Sequence, residues 1–290
     1  MTTTKKPLLR LTSDFVFKAV YGQNTVQSEA ALRALLNLLL DNKDDPIEWV
    51  HCENPFVLSD HITGKESILD IKVRLSSGQL VDLEMQVDNL KYFINRSIFY
   101  MGKLITSSLD KGQNYDKMKP TIVISIVDGI LFPNRVSAHS RYTLHEKIAK
   151  EELSDLTQIH FLELEKIDVT KPVSEMTSYE RIGAYFKYSS DETKQDLIAE
   201  LFHYETEVLT LTKPILEEVS LDARMRDLEE AHDKFIRTIA THRAEGREEG
   251  ENCIAKLHSL LIESKRFDDL ELSCKNPEFR KSLLAEFNLK

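Results

Sequence analysis

Residues Pro120-Thr-Ile-Val-Ile-Ser-Ile-Val127 form an almost unbroken run of β-branched side chains. A strand that alternates apolar and polar residues has one wet face, whereas a run like this reads as a strand buried on both faces. Such strands sit inside sheets covered by helices above and below. A helical pattern over about 89–109, closed by Lys111-Gly112, precedes the run, and a further strand, Ile159-His-Phe-Leu-Glu-Leu164, follows it. The expected class is therefore α/β, with a mixed central sheet flanked by helices.

The segment from Ser67 to Val87 reads as two strands and a tight turn. Side chains alternate between the faces of a strand. Leu69, Ile71, Val73 and Leu75 share one face of the first strand; Val81, Leu83, Met85 and Val87 share one face of the second. Asp70, Lys72 and Arg74, with Asp82, Glu84 and Gln86, take the opposite faces. Loop length decides which of these meet. A two-residue turn at Ser77-Gly78 sets Asp70 across from Met85, on the wrong face. A three-residue loop, Ser76-Ser77-Gly78, sets Asp70 opposite Glu84, and Gly78 stands where that loop wants a left-handed residue. Directly opposed Cβ atoms lie about 4.5–5.5 Å apart. Two carboxylates that close repel unless a cation neutralises them, and a hard divalent ion such as magnesium takes oxygen ligands. Alternation alone leaves two readings open: a solvated hairpin face, and a cation site.

The chain has 290 residues and a net charge of −10. That acidity argues against broad nonspecific attraction to nucleic acid, although it leaves room for a locally basic groove. No apolar run approaches the length of a membrane span. The first ten residues lack the long apolar segment and cleavage site of a signal peptide. Cys52, Cys253 and Cys274 are far apart and odd in number, so they make no metal pattern and suggest a reducing cytoplasm.

Ser13 to Gly22 reads as a short capped helix, 28–40 as a leucine-rich helix, and 47–58 as extended. From about 174 the pattern turns helical, with helices expected over 191–211, 221–244, 252–264 and 276–287. Arg243-Ala-Glu-Gly-Arg-Glu-Glu-Gly250 reads as a helix end, hinge or loosely packed connector. The expected organisation is a core over 8–170, a helical extension over 171–244, and a small helical tail over 245–290.

Taken in order, Asp14-Phe-Val-Phe-Lys18 with Gly22, Asp70-Ile-Lys, Glu84-Met-Gln86, Asn95-Arg96 through Tyr100, Leu131-Phe132-Pro133 and 159–164 form a set. This set resembles the recombination-promoting nuclease/transposase family, a branch of the PD-(D/E)XK nuclease superfamily. The resemblance covers about 10–170 well, and the charged 243–250 stretch and the tail also look like that family. It implies a magnesium-dependent DNA endonuclease, with manganese as a substitute ion, acting in recombination, mobile-element activity or phage defence. By family pattern Asp70 and Glu84 bind the metal, the backbone carbonyl of Met85 is a further ligand, and Gln86 stands where the superfamily usually has lysine. Glutamine brings a dipole where lysine brings a charge. It can still orient water, and the family accepts it.

Arg96, Tyr100 and Lys103 share a helix face, which reads either as phosphate contacts or as a solvated face. Lys18 and Lys72 are further DNA-contact candidates, and Lys72 could equally neutralise Asp82. Asp14 reads better as a first-turn residue favoured by the helix dipole. The nine histidines show no ligand spacing. The alternative reading is a catalytically weak or inactive DNA-binding or protein-interaction module that keeps the nuclease fold. Homo-oligomerisation is left open.

Overall fold

The computed structural model describes residues 7–42, 44–55, 71–87, 90–109 and 111–289. The β-branched run becomes β4 (Thr121–Val127), buried at every position. It pairs in parallel with β3 (Leu80–Gln86) on one side and β6 (Glu152–Glu163) on the other. Antiparallel β2 (Ile71–Leu75) and β1 (Val50–Cys52) extend the sheet beyond β3, and β5 (His139–His145) lies outside β6. The six-stranded mixed sheet runs β1-β2-β3-β4-β6-β5, as the α/β expectation required. The parallel β3–β4 pair needs a crossover, and α3 (Phe93–Ser107) supplies it.

Each face of the sheet has its own cover. Ile71, Val73, Val81, Leu83, Met85, Ile122, Ile124 and Ile126 join the main core. That core includes residues from α1 (Asp14–Tyr21), α2 (Val26–Leu39), α4 (Ser178–Tyr188), α5 (Gln195–Tyr204) and α6 (Thr206–Leu221). The first helices of the 171–244 region thus share one core with the sheet. On the other face Met101 and Leu104 of α3 pack on Leu80 and Val123, while Phe93 packs with Val127 and Phe161. The N-terminal segment is held by polar contacts. Leu9 N–H donates to Ser220 Oγ at 2.9 Å, and the buried Glu229 accepts from Arg10 at 3.0 Å and from the Ser13 hydroxyl.

By contact, the chain divides into 1–229 and 230–290. Helix α7 (Ala223–Glu263) passes unbroken through 243–250, so the glycines there do not end a helix. A helical glycine costs only about 1 kcal/mol relative to alanine, and the flanking Glu, Arg and Ala residues favour helix. The second unit adds α8 (Phe267–Lys275), where the sequence suggested a break, and α9 (Pro277–Glu286). Leu257, Leu261 and Leu283 form its small core. The single helix expected over 191–211 is divided at Glu205 into α5 and α6. Among the described residues no strand follows Glu163, and no helix is long and apolar enough to cross a membrane.

Two histidines lie inside the fold. His139 Nε2 and His160 Nδ1 are 3.1 Å apart, and His160 Nε2 is 3.2 Å from Gln158 Oε1. The bonds assign the tautomers: His160 donates to Gln158 and accepts from His139. The His139 ring stacks on Tyr179, centroids 3.9 Å apart. Burial lowers the His160 pKa to about 3 and that of His139 to about 4, with Arg141 adding to both effects. The folded chain therefore refuses protons that the unfolded chain accepts below about pH 6.5. Stability present above that pH should fall as pH drops from about 6.5 toward 4. Chemical denaturation across this window should give a flatter slope of stability against pH in a His139→Gln/His160→Gln variant. An unchanged slope would show that the pair does not carry the effect.

Candidate active site

The hairpin forms with the expected loop. Leu75 N–H donates to Gln79 O at 2.9 Å, Gly78 N–H donates to Leu75 O at 2.8 Å, and Gly78 has φ +85°. Only glycine takes that conformation without strain. The ladder pairs Ile71 with Leu83 and Lys72 with Asp82, which is the three-residue-loop register. Asp70 lies outside the described residues.

On β3 the polar face of the hairpin is not solvated. Asp82 is 3% and Glu84 6% exposed, because these side chains share the sheet face that α3 covers. A buried carboxylate needs a partner, and α3 provides one. Arg96 Nη2 donates to both Glu84 Oε1 and Gln86 Oε1, and its guanidinium carbon stacks 4.7 Å from the Phe93 ring centroid. Two oxygen acceptors thus converge on one cationic group. Glu84 pairs in register with Ser125 of β4, and the buried Ser125 hydroxyl has no hydrogen-bond partner among the described residues. Gln86 ends β3, alongside the ends of β4 and β6, and its carbonyl accepts from Asp128 N–H at 2.8 Å. Ligand crevices in open α/β sheets form at such carboxyl ends of parallel strands.

The other candidates sit on several elements. Met85 points its side chain into the main core, so only its backbone can serve the site. Lys72 lies opposite Asp82, half-buried, with its N–H donated to Asn54 Oδ1 at 2.8 Å. Lys18 is buried on α1, next to Gly22, and Gly22 also abuts Ile71. Asp14 is the first residue of α1. Tyr100 is half-buried and Lys103 exposed on α3. The structure therefore brings together Glu84, Gln86 and Arg96. Sequence reasoning placed Arg96 on a helix face without its carboxylate, and it missed Ser125.

Among the described residues no group of three or more His, Cys, Asp or Glu side chains could hold a metal. The donor chemistry still fits a hard ion: a carboxylate oxygen and an amide oxygen meet at one positive charge, beside an unpartnered buried hydroxyl. Glu84 and Gln86 would hold such an ion from this side.

A family model for PD-(D/E)XK nuclease family transposases matches residues 11–242. Searches of curated proteins and of solved structures give no significant match. The match spans the sheet, the hairpin with Glu84 and Gln86, and the helix that carries Arg96: the chain belongs to the PD-(D/E)XK nuclease family transposases.

Proposed function

We propose that this chain is a divalent-metal-dependent DNA endonuclease that hydrolyses backbone phosphodiesters, with Asp70 and Glu84 as metal ligands. The observation that carries this reading is the convergence of Glu84 Oε1 and Gln86 Oε1 on one cation. The ladder register supports it, because Ile71 pairs with Leu83 and Lys72 with Asp82, as the three-residue loop requires. The backbone carbonyl of Met85, between Glu84 and Gln86, would be the third donor. A bound magnesium or manganese ion supplies Lewis-acid polarisation of a phosphate oxygen and a water of lowered pKa. Arg96 neutralises Glu84 in the site as it stands, and its planar guanidinium would suit two oxygens of a bound phosphate. Gln86 orients water through its amide, in place of the superfamily's lysine charge.

Nicking of supercoiled plasmid tests this. Chelator should silence the wild type, and magnesium or manganese should restore it. Gln86→Ala should slow nicking by about 10²-fold, the low end for a side chain positioned for proton transfer, while Gln86→Lys keeps or raises the rate. Nicking indifferent to chelator would contradict the reading.

The Arg96–Glu84 pair also favours a second reading, since it neutralises the carboxylate without any ion. In that case the fold serves as a binding module. Calorimetric titration with manganese separates the two, because a module takes up no ion.

A further inference from the structure

Helix α3 carries a second feature on the flank that faces the hairpin. Between Leu90 and Ser107 the chain has three cations, Lys91, Arg96 and Lys103, and no carboxylate, in a protein of net charge −10. Phe93, Ser97, Met101 and Leu104 are its buried side. Arg96, Phe99 and Lys103 follow at i, i+3 and i+7, so they share one flank. Tyr92 stands at its N-terminal end. Arg96 reaches Glu84, so this flank is the one turned toward the candidate site. Tyr92 is 65% and Phe99 59% exposed. Each ring has an ammonium beside it: Lys91 Nζ lies 5.2 Å from the Tyr92 centroid, and Lys103 Nζ lies 4.7 Å from that of Phe99. The Tyr100 ring is next to Phe99, centroids 6.2 Å apart.

Rings exposed in alternation with cations suit a polymer that offers flat apolar faces and anions in alternation. Unpaired nucleotides do so; a duplex hides its base faces in the stack. An apolar protein surface would leave the ammonium groups unmatched. We propose that this flank binds unpaired nucleotides, with Tyr92 and Phe99 stacking on bases and Lys91 and Lys103 meeting adjacent phosphates. The preferred substrate is then single-stranded or frayed DNA, led along α3 to Glu84. The identity of the occupant rests on the DNA-cleavage reading above.

Fluorescence anisotropy of the full-length protein, in chelator, with labelled oligothymidine and a duplex of equal length tests this. The wild type should bind oligothymidine more tightly. Tyr92→Ala and Phe99→Ala should each weaken that binding about tenfold, the size of one base–ring stack, and Phe99→Trp should preserve it. Lys103→Gln should reduce the salt slope by about 0.7. Both rings are exposed, so melting temperatures should not move. A wild type that prefers duplex, or a Tyr92→Ala/Phe99→Ala variant that binds oligothymidine normally, overturns the proposal. So does a Phe99→Ala variant that only converts dimer to monomer in sedimentation, which makes the flank an interface between copies. Chelator keeps the outcomes separate: nicking lost in Glu84→Ala with normal oligothymidine binding by Phe99→Ala sinks the stacking flank alone. Stacking without any nicking by the wild type sinks the cleavage reading alone.

Discussion

Glu84→Ala should lower metal-dependent plasmid nicking by about 10²–10³-fold or more and leave the fold intact. Glu84 is a buried carboxylate of the site, and its Oε1 accepts from Arg96, which also donates to Gln86. Losing a metal ligand forfeits several kcal/mol of transition-state stabilisation, and each 1.4 kcal/mol is about tenfold in rate. Removing one partner of a buried ion pair is normally severe. Here the remaining partner, Arg96, is about one-third exposed, so its charge reaches water. Thermal melting alongside the nicking assay checks both halves: the rate should collapse while the midpoint moves by only a few degrees. Equal nicking by Glu84→Ala and wild type would remove Glu84 from the site.

A different carboxylate should decide stability. Glu163, at the end of β6, is fully buried. It accepts from Leu131 N–H at 2.6 Å, Phe132 N–H at 3.0 Å and Lys166 Nζ at 2.7 Å. Lys166 also donates to Phe132 O at 2.7 Å. The pair therefore fastens the turn after β4 to the sheet. Glu163→Ala leaves two backbone donors unmet and one cation buried, and should cost about 3–5 kcal/mol. Denaturant unfolding should show a lower midpoint at unchanged slope. A Glu163→Leu/Lys166→Met variant should recover part of the loss, because it leaves no uncompensated charge. A Glu163→Ala midpoint equal to wild type would mean the pair contributes nothing. The turn matters to the site through packing. Phe132 lies edge-on to Phe161 at 5.4 Å, Phe161 to Phe93 at 6.3 Å, and Phe93 is the ring on which Arg96 stacks.

The sequence carried the hairpin register because two local signals agreed. Period-two alternation sorted the faces, and Gly78 fixed an odd loop, so Ile71 meets Leu83. The β-branched run likewise announced β4, since a strand buried on both faces has no polar face to hide. What covers the polar face of β3 was not legible, because the cover, α3, arrives from later in the chain. Helical periodicity put Arg96, Tyr100 and Lys103 on one side without saying that Arg96 turns inward to Glu84. Glu163 had a faint signal: a carboxylate inside Ile-His-Phe-Leu-Glu-Leu, with Lys166 three residues on. Glycine punctuation misled at 243–250, where good helix formers outweigh two glycines. Net acidity left room for a locally basic surface, and α3 holds two cations and no carboxylate.

The most direct test is the rate of plasmid nicking in magnesium by wild type and Asp70→Ala, with Glu84→Ala beside them. Metal-dependent cleavage at the hairpin requires that both variants lose nicking while wild type retains it, and that chelator reproduces the loss. Wild-type nicking by Asp70→Ala in magnesium would contradict the account and leave the DNA-binding module as the better description.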